Sequence, residues 1–227
     1  MERNPRPAAA AAFARERIRD NAAQFHRNFS AGDFDGNGAL VAENIYVDSN
    51  NTILMGRENF VNRIRRYSGP FPGLQLVDRI IVVEGNMAAV HYVLQGRHTG
   101  TAYGQAPALG HNIQAYSGEV FEFDAQGLMR KLTTITQLDQ VLAEALGERT
   151  IAQPECYTLL ENEARDDAAT SAARRTLTRL HMHFNAGQTD AMAALFDPAV
   201  VEDRNGQLTH GRDAVVAAML AYRDGFS

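Results

Sequence analysis

Glu119 is the residue of this chain whose surroundings point most directly to chemistry. Between Ile113 and Asp124 the side chains alternate as on a strand, which places Ile113, Ala115, Phe121 and Phe123 on one face and Asn112, Gln114, Glu122 and Asp124 on the other. Glu119 falls in phase with the apolar set, so it is expected to point inward. A carboxyl group turned into an apolar interior is costly to ionise and tends to titrate nearer neutrality, the condition for general acid-base work. The competing reading is structural: Glu119 meets an arginine or a backbone donor, or lies at a frayed rim.

Two further groups are candidates. Asp48 follows the apolar triplet Ile45-Tyr46-Val47 and reads either as a second acid-base group or as a turn residue beside Asn50. His98 is in phase with Val90, Tyr92 and Leu94 and is expected to face inward, as an assisting group or as a hydrogen-bonded core residue; His91 lies on the opposite face. The segment Asp33-Phe34-Asp35-Gly36-Asn37-Gly38 looks like the start of a calcium loop. Such a loop needs a carboxylate at its twelfth position, which is Asn44 here. A turn between helices is the better reading. No three of these residues have metal-ligand spacing, and the chain has neither a glycine-rich phosphate loop nor a nucleophile elbow. The chemistry these residues could do is acid-base work, and no cofactor is expected.

The elements that must position these groups follow from periodicity. Ile18, Ala22, Phe25 and Phe29 recur at three- and four-residue steps, marking an amphipathic helix that runs from Phe13 and ends before Gly32. A short second helix over Ala39 to Glu43, a brief strand at Ile45-Tyr46-Val47, a turn at Ser49-Asn50-Asn51 and a third helix over Arg57 to Tyr67 are expected next. After the breaker Ser68 to Gly73 the period becomes that of strands: Leu74 to Glu84, Met87 to His98, His111 to Asp124 and Leu128 to Leu138. Turns at Gly85-Asn86 and Ala125-Gln126-Gly127 join consecutive strands, so the sheet is expected to be antiparallel. Helices covering one face of such a sheet make an α+β domain.

The chain also repeats itself. With an offset of 155, Arg19 to Pro72 lies over Arg174 to Ser227 without a gap, and 15 of 54 positions are identical, among them His26/His181, Phe29/Phe184, Gly32/Gly187, Asp48/Asp203, Gly56/Gly211 and Tyr67/Tyr222. A repeat decides where domains begin. The expected organisation is a loose arm over 1–12, a complete domain over 13–146, a linker over 147–156, and over 157–227 a partial, mainly helical copy lacking the long strands. A fragment of that size buries too little apolar surface to be securely stable alone.

Composition bounds the rest. A formal net charge of −5, with Arg15, Arg17 and Arg19 interrupted by Glu16 and Asp20, argues against a nucleic-acid partner. No run approaches the roughly 20 apolar residues of a membrane span. The single cysteine, Cys156, makes a reducing compartment the default, and a cytoplasmic protein is expected.

Taken together, Phe29-Ser30-Ala31-Gly32-Asp33, Gly56-Arg57-Glu58, Gly96-Arg97-His98-Thr99-Gly100, Gly104 through Pro107 to Gly110, and Gly118-Glu119-Val120-Phe121-Glu122-Phe123-Asp124 resemble the SnoaL-like polyketide cyclases. These belong to the nuclear transport factor 2-like superfamily of cone-shaped α+β domains. The segment Val201 to Gly206 with Gly211-Arg212 is also similar to the ketosteroid isomerase branch. The resemblance implies three helices on a curved antiparallel sheet, and a deep apolar pocket that takes a small hydrophobic carbonyl compound. Glu119 and Asp48 project into it, His98 assists, and Phe25, Phe29, Tyr92 and Phe121 are walls. A homodimer is expected as well. The first-helix tyrosine of the isomerases is Phe25 here and Leu180 in the second copy, so steroid isomerisation loses its oxyanion donor. Cyclisation, or a non-catalytic binding or dimerisation module of the same fold, remains.

Overall fold

The apolar stripe Ile18, Ala22, Phe25 and Phe29 is buried along helix α1 (Arg6–Ala31) of the computed structural model, which describes residues 6–149, 167–204 and 207–225. The helix begins at Arg6, so it reaches into the segment expected to be a loose arm. It stops where Gly32 takes a positive φ of 75° and its amide returns to Phe29 O at 3.0 Å, a conformation that glycine adopts without strain.

The chain divides into two compact units. In the first, α1 leads to α2 (Phe34–Ala39), β1 (Val41–Ser49), β2 (Thr52–Met55), α3 (Arg57–Arg65) with a 3₁₀ turn over Arg66–Ser68, β3 (Gln75–Glu84), β4 (Met87–Arg97), β5 (Asn112–Phe123), β6 (Met129–Thr136) and α4 (Leu138–Leu146). One six-stranded sheet has the order β2-β1-β6-β5-β4-β3. The four long strands pair antiparallel as expected, while β1 joins β6 in parallel.

Three local expectations are corrected. The second helix lies over Phe34–Ala39, where Asp33 caps it by accepting from the Gly36 amide at 2.8 Å; Val41 and Ala42 already belong to β1. Asp33 and Asp35 therefore serve a helix cap and an ion pair to Arg65 at 2.8 Å. The strand expected at three residues is nine long and turns back through Asn50 and Asn51, both with positive φ, into β2. The end of the last expected strand is helix α4, whose Glu144 accepts from the Gln114 amide at 2.6 Å and so ties the helix to β5. Burial raises the Glu144 carboxyl, and the Gln114 and Gln140 hydrogen bonds and the Arg149 charge oppose the rise.

The core lies between α1, α2, α3 and the sheet face opposite them. Phe25 stacks on Phe60 and meets Phe121 edge-on, with ring centroids 5.8 Å apart in both pairs, while Phe29 meets Phe34 edge-on.

In the second unit α5 (Asp167–Asn185), α6 (Thr189–Ala193), β7 (Val201–Arg204), β8 (Gln207–His210) and α7 (Arg212–Asp224) follow one another, and β7 and β8 pair only with each other. Residues 150–166, which include Cys156 and most of the expected linker, lie outside the described residues. Among the described residues no helix is long and apolar enough to cross a membrane.

Candidate functional site

The sheet is built so that polar side chains cross its helix-facing surface in two adjacent rows. The register pairs Glu119 of β5 with Thr134 of β6, Thr134 with Ser49 of β1, and Ser49 with Thr52 of β2. The next row pairs Asp78 of β3 with Tyr92 of β4, Tyr92 with Ser117 of β5, and Ser117 with Thr136 of β6. The Ser117 hydroxyl donates to Thr136 Oγ1 at 3.1 Å. Around these rows stand Phe25, Phe29, Phe60, Leu54, Leu94 and Leu132, and together they line a cavity enclosing about 820 Å³ of atom-free space, part of it open to solvent.

Glu119 is part of the cavity wall, 7% exposed, and both its oxygens are engaged. Tyr92 donates to Oε1 at 3.1 Å and His26 Nε2 donates to Oε2 at 2.9 Å. The second ring nitrogen of His26 donates to Asp78 Oδ1 in a short hydrogen bond. Burial alone would lower an imidazole, but the hydrogen bonds and charges of Asp78 and Glu119 outweigh it and raise His26 from 6.5 to about 9. At neutral pH His26 is a buried imidazolium held between two carboxyl groups. Tyr92 is pushed well above its usual value by burial first and by the Glu119 charge second, so it stays a neutral donor.

Of the residues expected from sequence, Glu119, Phe25, Phe29 and Tyr92 line this cavity. Phe121 is fully buried behind it, against Phe25 and His26, and forms backing instead of wall. Asp48 is corrected: Ile45, Val47 and Ser49 take the inner phase of β1, which turns Asp48 to the other face, and Ser49 lines the cavity in its place. His98 is corrected as well. It is buried, but its Nε2 bonds to Thr101 O at 2.8 Å and its ring rests 5.2 Å from Phe71, so it holds the loop after β4 and is not part of the cavity. The inward phase expected of Glu119 matches its burial, and its partners are Tyr92 and His26 instead of the arginine or backbone donor of the competing reading.

Strand and helix periodicity does not reveal His26 or Asp78 as site residues. His26 sits four residues after Ala22 on the same helix face, and its recurrence as His181 is the available signal. Asp78 depends on a register shift between Asp78 and Ile80, where Arg79 is the extra residue. The bulge moves the inward phase from Ile81 and Val83 to Leu76 and Asp78, and thereby re-aims a carboxylate at the site. Among the described residues no group of three or more His, Cys, Asp or Glu could hold a metal ion.

Residues 20–130 match the family described as SnoaL-like polyketide cyclase. A proposed polyketide cyclase from Xanthomonas campestris pv. campestris superposes with a TM-score of 0.54 at 23% identity, covering 58% of this chain and 98% of that one. A proposed SnoaL-like polyketide cyclase from Jannaschia sp. CCS1 gives 0.54 at 16% identity, with 64% and 97% covered. AclR of Streptomyces galilaeus, a proposed hydroxylase, gives 0.53 at 15% identity, with 60% and 99% covered. A comparison with curated proteins finds no match. Likeness at these identities concerns the fold, which carries more than one proposed reaction among these relatives. Residues 20–130 thus resemble the SnoaL-like polyketide cyclases, and the first unit has the nuclear transport factor 2-like fold.

Proposed function

We propose that the first unit binds a small hydrophobic carbonyl compound in this cavity and transfers a proton at the carbon beside its carbonyl, in the manner of a cyclase that uses no cofactor. The observation that carries the reading is Glu119, buried in the wall of a mainly apolar cavity and oriented by Tyr92 and His26. Each carboxylate oxygen keeps a lone pair after these bonds, enough to accept a proton from carbon. The carbon's electron pair moves to the carbonyl oxygen as an enolate, and the hydroxyls of Thr134, Thr136 and Ser49 are among the donors in the cavity wall. In an aldol closure the enolate carbon then forms the new bond to a second carbonyl, and the alkoxide takes back the proton held by Glu119. Atoms and charge balance with no further reactant.

His26 does not line the cavity, so it acts through Glu119 as a positioning residue. Its imidazolium fixes the carboxylate, and Asp78 fixes the imidazolium. The homodimer remains a proposal, tested by light scattering of the full chain.

The test is proton exchange at carbon. 2-Tetralone in D₂O, followed by proton NMR, is expected to exchange its α-hydrogens faster with the protein than in buffer, and Glu119→Gln is expected to lower that acceleration about 100-fold or more. Equal rates with and without protein, or full activity in Glu119→Gln, would remove the catalytic reading and leave a binding module.

A further inference from the structure

Two strands across the sheet from Glu119 the cavity wall holds an arginine that, among the described residues, no acidic residue neutralises. Helix α3 carries Arg57, Arg63, Arg65 and its continuation Arg66. Arg57 reaches Glu43 at 2.9 Å and Arg65 reaches Asp35 at 2.8 Å. Arg63 lines the cavity instead. Its Nη2 makes a long hydrogen bond to Ser49 Oγ at 3.4 Å, and among the described residues no carboxylate lies within ion-pair distance of it. A half-buried guanidinium with donors to spare is poorly satisfied by one hydroxyl.

The surroundings add donors of the same kind. Tyr67, Tyr103 and Thr52 also line the cavity, Thr52 as the strand partner of Ser49. The Tyr103 phenol is raised by burial and by Tyr67, and the Arg63 charge pulls it back, with Asp139 acting the other way from outside the cavity wall. Ser49 and Glu119 belong to one row across β1, β6 and β5, two strand spacings apart, which is about 10 Å. The floor between them is Thr134.

We propose that the ligand is a hydrophobic carboxylic acid, its carboxylate held by Arg63 about 10 Å from the carbon presented to Glu119. This inference rests on the carbonyl-binding reading above and narrows it to a substrate class. A carboxylate accepts two parallel N–H bonds from a guanidinium, so Arg63 sets which end of the molecule enters first. The matching position of the second copy is Ala218, so the feature belongs to the complete domain alone.

The experiment is displacement of N-phenyl-1-naphthylamine fluorescence from the full chain by two molecules of one shape, 2-anthracenecarboxylate and 2-(hydroxymethyl)anthracene. The wild-type protein is expected to prefer the carboxylate at least tenfold. Arg63→Gln, checked for folding by its thermal unfolding, is expected to bring the ratio within twofold while leaving the alcohol's affinity unchanged, and Arg63→Lys is expected to retain part of the preference. Glu119→Gln should keep the full preference. Equal affinities in the wild-type protein, or an undiminished preference in Arg63→Gln, would overturn the inference, while tetralone exchange would still test Glu119 on its own. A dye that neither competitor displaces would overturn both, since the cavity would then not be the binding site.

Discussion

The two units make nearly the same backbone bonds from related sequences, yet among the described residues only the first builds a buried polar centre. Gly56 donates to Ile45 O at 2.9 Å, and 155 residues later Gly211 donates to Val200 O at 2.8 Å. Asp33 to Asn28 and Gln188 to His183 match in the same way, at 2.8 and 2.9 Å, and Asp48 faces Ile53 as Asp203 faces Leu208. The φ values of Gly56 and Gly211 are 90° and 86°. The burial does not match: His26 is 1% exposed whereas His181 is exposed, and Met182 near it is 63% exposed. Turns, caps and hairpins are thus written locally. A buried ionisable centre requires the long strands β3 to β6, which supply Asp78, Tyr92 and Glu119 and exclude water around the helix.

The largest expected difference is in packing. Phe25→Ala should destabilise the first unit by about 3–5 kcal/mol, whereas Leu180→Ala at the matching position should cost under about 1 kcal/mol, measured by urea unfolding. Equal losses would show that the second unit has a core of comparable depth.

The next difference is electrostatic. His26 has a folded value of about 9 against 6.5 unfolded, so its contribution to stability is complete below pH 6.5 and is lost as pH rises through 9. Unfolding free energy should fall by on the order of 2–3 kcal/mol between about pH 6.5 and 9.5. His26→Gln should flatten that slope, and His181→Gln should leave it unchanged.

The smallest effect should be shared. Gly56→Ala and Gly211→Ala place a side chain at a φ that only glycine adopts freely, so each should lose about 1 kcal/mol in local hydrogen-exchange protection. A cost at Gly56 with none at Gly211 would break the claim that the turns are equivalent.

Much of this is legible in the chain. The four long strands and the inward phase of Glu119 follow from alternation alone, because one face of the sheet is buried. The His26 partner is hidden because a helix stripe is read from apolar residues, and an imidazole between Phe25 and Phe29 passes for a surface neighbour. Asp78 is hidden by a bulge, which no strict period of two can reveal. Asp48 is misplaced when Ile45-Tyr46-Val47 is treated as a unit; taken through Ser49, the odd positions face inward and Asp48 does not. Arg63 gives no periodic signal, since one turn of α3 distinguishes a solvent-facing arginine from one that enters the cavity.

The central claim is that His26 is a buried imidazolium clamped to Glu119, and ¹⁵N NMR of the imidazole ring across pH tests it directly. The account predicts a ring protonated on both nitrogens at about pH 7.5 that loses its proton near pH 9, and at lower pH in Glu119→Gln. A ring already neutral at about pH 7.5 and titrating near the ordinary imidazole value of 6.5 would contradict it.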